Sequence, residues 1–529
     1  MFKISRREML VGASAMALQL PAFAGQEPHK GGTLIAVVQP EPTALTTVIN
    51  SSFYHGIVST NMFDALLTYD ENFSPQPGLA TSWDVSPDGL TITFKLRRGV
   101  KWHDAQPFTS ADVKFNFLDV LRKYNARGRI NLAPVESIDT PDDFTAIMHL
   151  SKPAPALMSA LNSQDAQLLP RHLYEGTDIA KNPYNLKPVG TGAFRFKEWR
   201  RGEYISMVRN PDYWDQGKPY FDEIIFRIIP DAAARSAALE TGEVMYAPYD
   251  AVAISDVPRL GKLPNLAIST DGYSYQGHML MMELNTQRPQ TSHPKVRQAI
   301  SFAMDRQRLT DTVWYGLGTP AKGPIIHTSR FFSSEGVPQY PYDLKKANAL
   351  LDEAGFPRKE NGIRFTLSSS YMPFGETQQS TAQFIKQQLK QVGIDVTVEN
   401  ADLPTYLRRV YTNYDFDINQ GSFATFIDPD LGLFRFYSTE QIAKGVAWSN
   451  ASRYSNPTMD KLIAAQKSEP DEKKRLALMH QFQKMAQTDL PMVPLMEMHH
   501  FTTYNRKLHG LRKTPDAVLQ GLKDAWLAS

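Results

Sequence analysis

Pro188 to Ile229 reads PVGTGAFRFKEWRRGEYISMVRNPDYWDQGKPYFDEIIFRII, and its alternation decides the fold class. Gly190-Thr191-Gly192 reads as a turn. Ala193-Phe194-Arg195-Phe196 alternates in the way a half-buried strand does. Arg201-Gly202 marks a hairpin turn, and Tyr204 to Val208 is the returning strand. Arg209-Asn210-Pro211-Asp212-Tyr213-Trp214 is a polar turn that ends in two large aromatics. Phe221 to Ile229 supplies a third strand. The stretch is a small β-meander with an aromatic clamp.

Outward from it, strand and helix patterns interleave. Gly32 to Val38 reads as a buried strand, followed by the Pro40-Glu41-Pro42 turn. Asn61 to Tyr69 has helical spacing. Residues 78 to 104 alternate as a hairpin around Ser86-Pro87-Asp88-Gly89. Thr109 is a candidate N-cap with Asp112 at the capping-box position. Ile138 to Leu150 reads as another hairpin. Asp231 to Thr241 is a short helix closed by Gly242, and Met279 to Asn285 is a strand. Further on, Gly362 to Leu367, Glu376 to Val392 and Gly393 to Val398 form a strand, helix, strand series, the pattern of a parallel βαβ unit. Lys345 to Ala354 is a helix stopped by Gly355. Asp471 to Thr488 is a charged amphipathic helix, and Leu490 to Met498 a strand. A chain of 529 residues exceeds one hydrophobic core, so an α/β protein of two or more domains is expected.

GTGAF…RNPDYW…KPYFDEIIF resembles the signature of the extracytoplasmic solute-binding proteins of the peptide/opine/nickel family of ABC importers. The resemblance extends to Gly78 to Trp83, to Asp88 to Asp104 with Pro107 to Val113, to Val296 to Arg306 and to Lys346 to Gly355. It implies a two-lobed periplasmic-binding-protein fold of type II, with Met279 to Asn285 and Leu490 to Met498 as the two crossing strands. Lobe I would comprise 25–60, 188–282 and 500–529. Residues 61–187 would be a subdomain inserted in it, and 283–499 would form lobe II. Such a protein closes on one solute in the interlobe cleft and delivers it to a membrane permease driven by a separate ATPase. It acts as a monomer, needs no cofactor and does no chemistry.

The ligand contacts so implied are Glu41 in the first loop, Tyr273 and Tyr275 ahead of the crossing strand, and a group from the aromatic-rich stretch Phe423 to Trp448. That group, with the residues flanking the stretch, is Ser422, Phe423, Thr425, Phe426, Arg435, Trp448 and Asn450. Irregular loops of this kind line pockets when a rigid scaffold holds them, although their aromatics could equally complete a core. Peptide-binding members carry a tryptophan, then an aspartate three residues on, just before an acidic-Pro pair. Here Phe423 and Phe426, or Ser422 and Thr425, take those places before Asp428-Pro429. No carboxylate stands where a peptide's α-ammonium would need one. That favours an opine, a glycoside, a modified peptide or a nickel chelate. Arg435 suits a carboxylate or phosphate, and Glu41 could replace the missing negative charge from the other lobe.

Other chemistry finds little support. Ser5-Arg6-Arg7-Glu8-Met9-Leu10, an apolar run to Leu20 and Pro21-Ala22-Phe23-Ala24 form a twin-arginine export signal with a cleavage pattern. Cleavage after Ala24 would remove three cations and one anion, taking the formal charge from +2 to 0. A neutral mature chain offers nothing to nucleic acid or anionic membrane. The absence of cysteine excludes disulfides, thiolate metal sites and a lipidated anchor, so a periplasmic location is expected. The twelve histidines show no His-Glu-x-x-His motif, and His499 and His500 are adjacent and cannot chelate together from a strand. Gly318 to Gly323 lacks the lysine of a phosphate loop, and no Gly-x-Ser-x-Gly elbow occurs. Asp428 and Asp430 are close, but Asp428-Pro429 reads as a capped turn. A secreted hydrolase is the weaker alternative.

Overall fold

The computed structural model describes residues 27–528. The twin-arginine segment and its cleavage pattern lie outside the described residues. The meander stands where its alternation puts it. Phe194–Arg200, Tyr204–Arg209 and Glu223–Arg227 run antiparallel in chain order. Phe194, Ile205, Met207, Ile224 and Phe226 form its fully buried face. Glu223–Arg227 pairs parallel to Thr33–Val37. Tyr246–Ala247, Thr502–Asn505 and Leu266–Ser269 complete a seven-stranded sheet.

The two glycines before the meander serve close approach rather than turning. A Cβ on Gly190 would lie 1.8 Å from the Met62 carbonyl oxygen, and one on Gly192 2.5 Å from the Met62 carbonyl carbon. Only glycine lets the backbones meet. The Gly192 and Phe194 N–H groups donate to Met62 and Asn61 at 2.9 and 3.0 Å. This corrects the helix expected over Asn61 to Tyr69. The helix is Phe53–Ser59, more than two turns earlier, and Leu67–Tyr69 is a strand. The carbonyls of 61, 62, 65 and 66 are taken by the meander and by Leu79 and Ala80, so they are not free to make helical bonds. The aromatic clamp fixes the same segment: Tyr213 and Trp214 donate to Asp64 at 3.2 and 2.8 Å.

Ala80–Val85, Thr91–Leu96, Thr145–Leu150 and Val135–Asp142 form a four-stranded antiparallel sheet in that order. Its Ile92, Phe94 and Met148 join the same continuous core as Phe194 and Ile224. Thr109 caps Ser110–Phe115, its N–H donating to Asp112 at 2.9 Å.

The second sheet has six strands, ordered Gly318–Pro320, Met492–Met498, His278–Leu284, Ile418–Ala424, Phe365–Tyr371 and Ile394–Glu399. The last two are parallel and are joined by the helix Glu376–Gln391, as the βαβ pattern requires. His278–Leu284 is buried on both faces. Leu280, Met282 and Leu284 enter one core, and Met279 and Met281 another. Its nearly unbroken apolar reading follows from that.

The chain passes between the two sheets at residues 270–277 and again at 499–501. A third tie is made without a crossing. After Ile418–Ala424, the Thr425, Phe426 and Ile427 N–H groups donate to the carbonyls of Gly277, Gln276 and Tyr275 at 3.3, 2.8 and 2.8 Å. Phe426 and Ile427 thereby belong to the core of the seven-stranded sheet. Phe426 meets Tyr275 edge-on at 5.6 Å, and the Arg127 guanidinium lies 5.7 Å from its ring.

Candidate functional site

The space between the sheets is walled by the second crossing and by His278, the first residue of the strand that follows the first crossing. Two adjoining hollows of about 500 and 530 Å³ share Asp250, Trp314, Phe374, Thr377, Met498 and His500. They form one continuous cleft of the size that takes a small molecule. A separate hollow of about 350 Å³ lies between Arg306 and Tyr342. Its buried cation, Arg306, is engaged by the Ser301, Met304, Tyr340 and Pro494 carbonyls and the Ser301 hydroxyl, so it is not free to bind a ligand.

Of the ten residues expected to touch ligand, Ser422, Phe423, Arg435 and Trp448 line the cleft. Arg435 is the most informative. Its guanidinium lies 4.8 Å from the Phe436 ring, and its buried Nε has no partner among the described residues. Burial pulls its pKa down to about 10, so it remains a cation at neutral pH. A buried donor of this kind is costly unless something accepts from it. Trp448 sits over Tyr411 and beside Phe374, at 5.5 and 6.4 Å.

The other six are engaged elsewhere. Glu41 accepts from Trp199 Nε1 at 2.9 Å and from the Gly202 N–H at 3.2 Å, so it pins the meander's hairpin instead of facing lobe II. The Tyr273 hydroxyl accepts the Tyr249 N–H at 2.7 Å and bonds Thr502, tying the two crossings together. Tyr275 bonds Asp165, which pairs with Arg127. The Thr425 hydroxyl donates to Gly277 at 2.7 Å, and Phe426 is in the first lobe's core. Asn450 closes its own loop through Ser438, Tyr454 and Ser452.

Asp428 is also committed. It receives both guanidinium nitrogens of Arg475 at 2.8 Å, with both side chains at or below 3% exposure. It also caps the turn at Pro429–Leu431. The lobe II wall therefore presents a cation and aromatic faces and no free carboxylate from this loop.

From the first lobe come Tyr249 and Asp250, from the start of the strand His278–Leu284 comes His278, and from the second crossing His500. Tyr249 stacks on Phe53 at 4.3 Å and packs on His500 at 4.9 Å. Tyr249 and Asp250 have φ of 56° and 52°, a left-handed pair that turns their side chains into the cleft. No glycine marks that turn, and the two histidines lie far apart in the chain. Sequence spacing therefore gave no sign of this cluster.

No group of three or more His, Asp or Glu able to hold a metal ion is present among the described residues. No helix among them is long and apolar enough to cross a membrane.

Residues 74–444 match the family described as bacterial extracellular solute-binding proteins, family 5. The oligopeptide-binding protein AppA of Bacillus subtilis is 29% identical over 95% of this chain and 93% of its own length. The glutathione-binding protein GsiB of Pectobacterium atrosepticum is 29% identical over 97% of each. The crystal structure of the ABC transporter substrate-binding protein CtaP of Listeria monocytogenes superposes with a TM-score of 0.83 at 26% identity, over 94% of this chain and all of the other.

Proposed function

The chain belongs to the family 5 bacterial extracellular solute-binding proteins, and we propose that its cleft captures a small acidic solute lacking a free α-ammonium group. As a member it is an extracytoplasmic solute receptor of an ABC importer. The observation that carries the ligand class is Arg435, a buried cation on the cleft wall with an unpartnered Nε, set opposite no free carboxylate of its own loop. An acid group of the solute supplies the missing acceptor, and rings such as Trp448 and Phe374 cover its apolar part. An α-ammonium brought here would be desolvated beside a like charge, which costs several kcal/mol. An N-blocked peptide, or an opine whose nitrogen is acylated, meets these demands better than an ordinary peptide.

Calorimetry tests this with mixed di- to pentapeptides, their N-acetylated forms, glutathione and an opine. Acidic, amine-blocked compounds should bind, and Arg435→Gln should abolish that binding. Submicromolar binding that requires a free amine would restore the plain peptide reading.

The remaining parts of the reading concern the protein's setting. Lobe I takes its insertion at 61–187, lobe II lies between the crossings at 270–277 and 499–501 in place of the boundaries at 283 and 500, and the monomer closes and docks on a permease without altering its cargo. The paired arginines direct folded export to the periplasm. Arg6→Lys with Arg7→Lys should leave unprocessed precursor in the cytoplasm, whereas normal processing would rule that route out.

A further inference from the structure

One histidine reaches the cleft wall just after the first crossing and one within the second, and the two rings are joined. His500 Nε2 lies 3.0 Å from His278 Nδ1, and His500 Nδ1 lies 2.5 Å from one Asp250 oxygen. The other Asp250 oxygen accepts the Phe501 N–H at 2.9 Å. A carboxylate held this way only accepts, so it fixes the hydrogen of His500 on Nδ1.

Two proton counts satisfy this chain. With two ring protons, His500 Nε2 accepts from His278 Nδ1–H, and His278 Nε2 is a bare lone pair. With three, His500 is an imidazolium that donates from Nε2 to His278 Nδ1, and His278 carries its hydrogen on Nε2. Between the two states one solvent proton joins His278 Nε2, and the proton between the rings moves from His278 Nδ1 to His500 Nε2. The charge settles against Asp250 although the proton enters from the cleft.

We propose that His278 Nε2 is a ligand contact whose role inverts, from acceptor to donor, when this relay gains one proton. The proposal rests on the cleft being the solute site. His278 lines it and is only partly buried, and its one hydrogen bond among the described residues is made through Nδ1, which leaves Nε2 without a partner. Burial, with the charges of His500 and Arg127, disfavours a charge on the His278 ring, and the Asp250 carboxylate lies against His500 and not against His278, so the relay places the added charge beside that carboxylate. The other groups facing the pair are Tyr249 and Tyr273, whose rings lie 4.9 and 5.9 Å from His500. His499 turns away to Thr319 at 3.1 Å. Arg435 shares the cavity. In the donor state His278 and Arg435 both serve an acid oxygen, so acidic solutes bind with proton uptake.

The test needs no ligand. Imidazole nitrogens of the free protein are followed by nitrogen-15 NMR through a pH titration, with His278→Gln and His500→Gln giving assignments. The bare nitrogen of His278 should be Nε2 at high pH and Nδ1 at low pH, while His500 becomes doubly protonated in the same step. One tautomer at all pH, or His278 charging first, would overturn the relay. Asp250→Asn, its folding checked by melting, should lower the inversion by about 1–3 pH units; an unmoved inversion would also overturn it. Diethyl pyrocarbonate should acylate His278 above the transition, and failure to do so would remove His278 Nε2 from the cleft wall. If the tautomer inverts but no compound of the calorimetry panel binds, the ligand class fails and the relay stands. If a compound binds and the tautomer is fixed, the reverse holds.

Discussion

At the scale of single residues, Asp428 and Arg475 hold up the loop that forms the cleft floor. Their charges neutralise each other out of water, and removing one leaves the other stranded. Asp428→Asn should cost about 3–5 kcal/mol, read as a lowered denaturant midpoint. Replacing the pair together, Asp428→Asn with Arg475→Met, should cost less than Asp428→Asn alone. Equal costs would mean the ion pair is idle. The capped turn at Asp428-Pro429 was legible in sequence because a cap is local. Its partner was not, because it lies 47 residues further along. The same limit explains the site. Ser422, Phe423, Arg435 and Trp448 came from one conspicuous stretch, whereas Asp250, His278 and His500 converge only through folding. Glu41 was chosen for its charge, yet the hairpin beside it already holds that charge.

At the scale of the element, the strand His278–Leu284 carries one anomaly. Glu283 is fully buried on the strand that joins the cores. It accepts from Asn419 at 2.9 Å and from the Ser452 N–H at 2.8 Å. Burial raises its pKa from 4.5 to about 7 despite these bonds. A raised acid binds its proton more tightly folded than unfolded. Its contribution is therefore complete below pH 4.5 and is lost as pH rises through about 7, a change of about 3 kcal/mol. Asp516, raised to about 6, acts in the same direction. His55 and His103, lowered to about 4, act in the opposite one. Glu283→Gln leaves those three in place. Urea unfolding from pH 4.5 to 7.5 should show its stability falling less with pH than the wild type's, and parallel curves would sink the assignment. Elements with a clean period, such as the meander and the βαβ unit, were legible because one face or both faces of a strand dictate the residue pattern. Asn61 to Tyr69 misled because its helical spacing was real while its carbonyls were claimed by distant strands.

At the scale of the whole molecule, closure has to be absorbed at 270–277 and 499–501. The sequence placed the first crossing near Leu284, but that residue is the far end of the strand. A saturating solute found by calorimetry should reduce the radius of gyration in small-angle scattering and raise the melting temperature; binding with no compaction would dismiss the hinge. Phe426 and Ile427 add a constraint. They sit in the first lobe's core although their loop leaves the second lobe's sheet, and withdrawing such side chains costs about 1.5–3 kcal/mol each. The lobes therefore stay fastened along that margin and part only along the other, as a book does. Cargo longer than the cavity can overhang at the free margin and nowhere else. The limit on cargo length is thus one-sided, and a solute with a bulky tail is admitted or refused according to which end enters first.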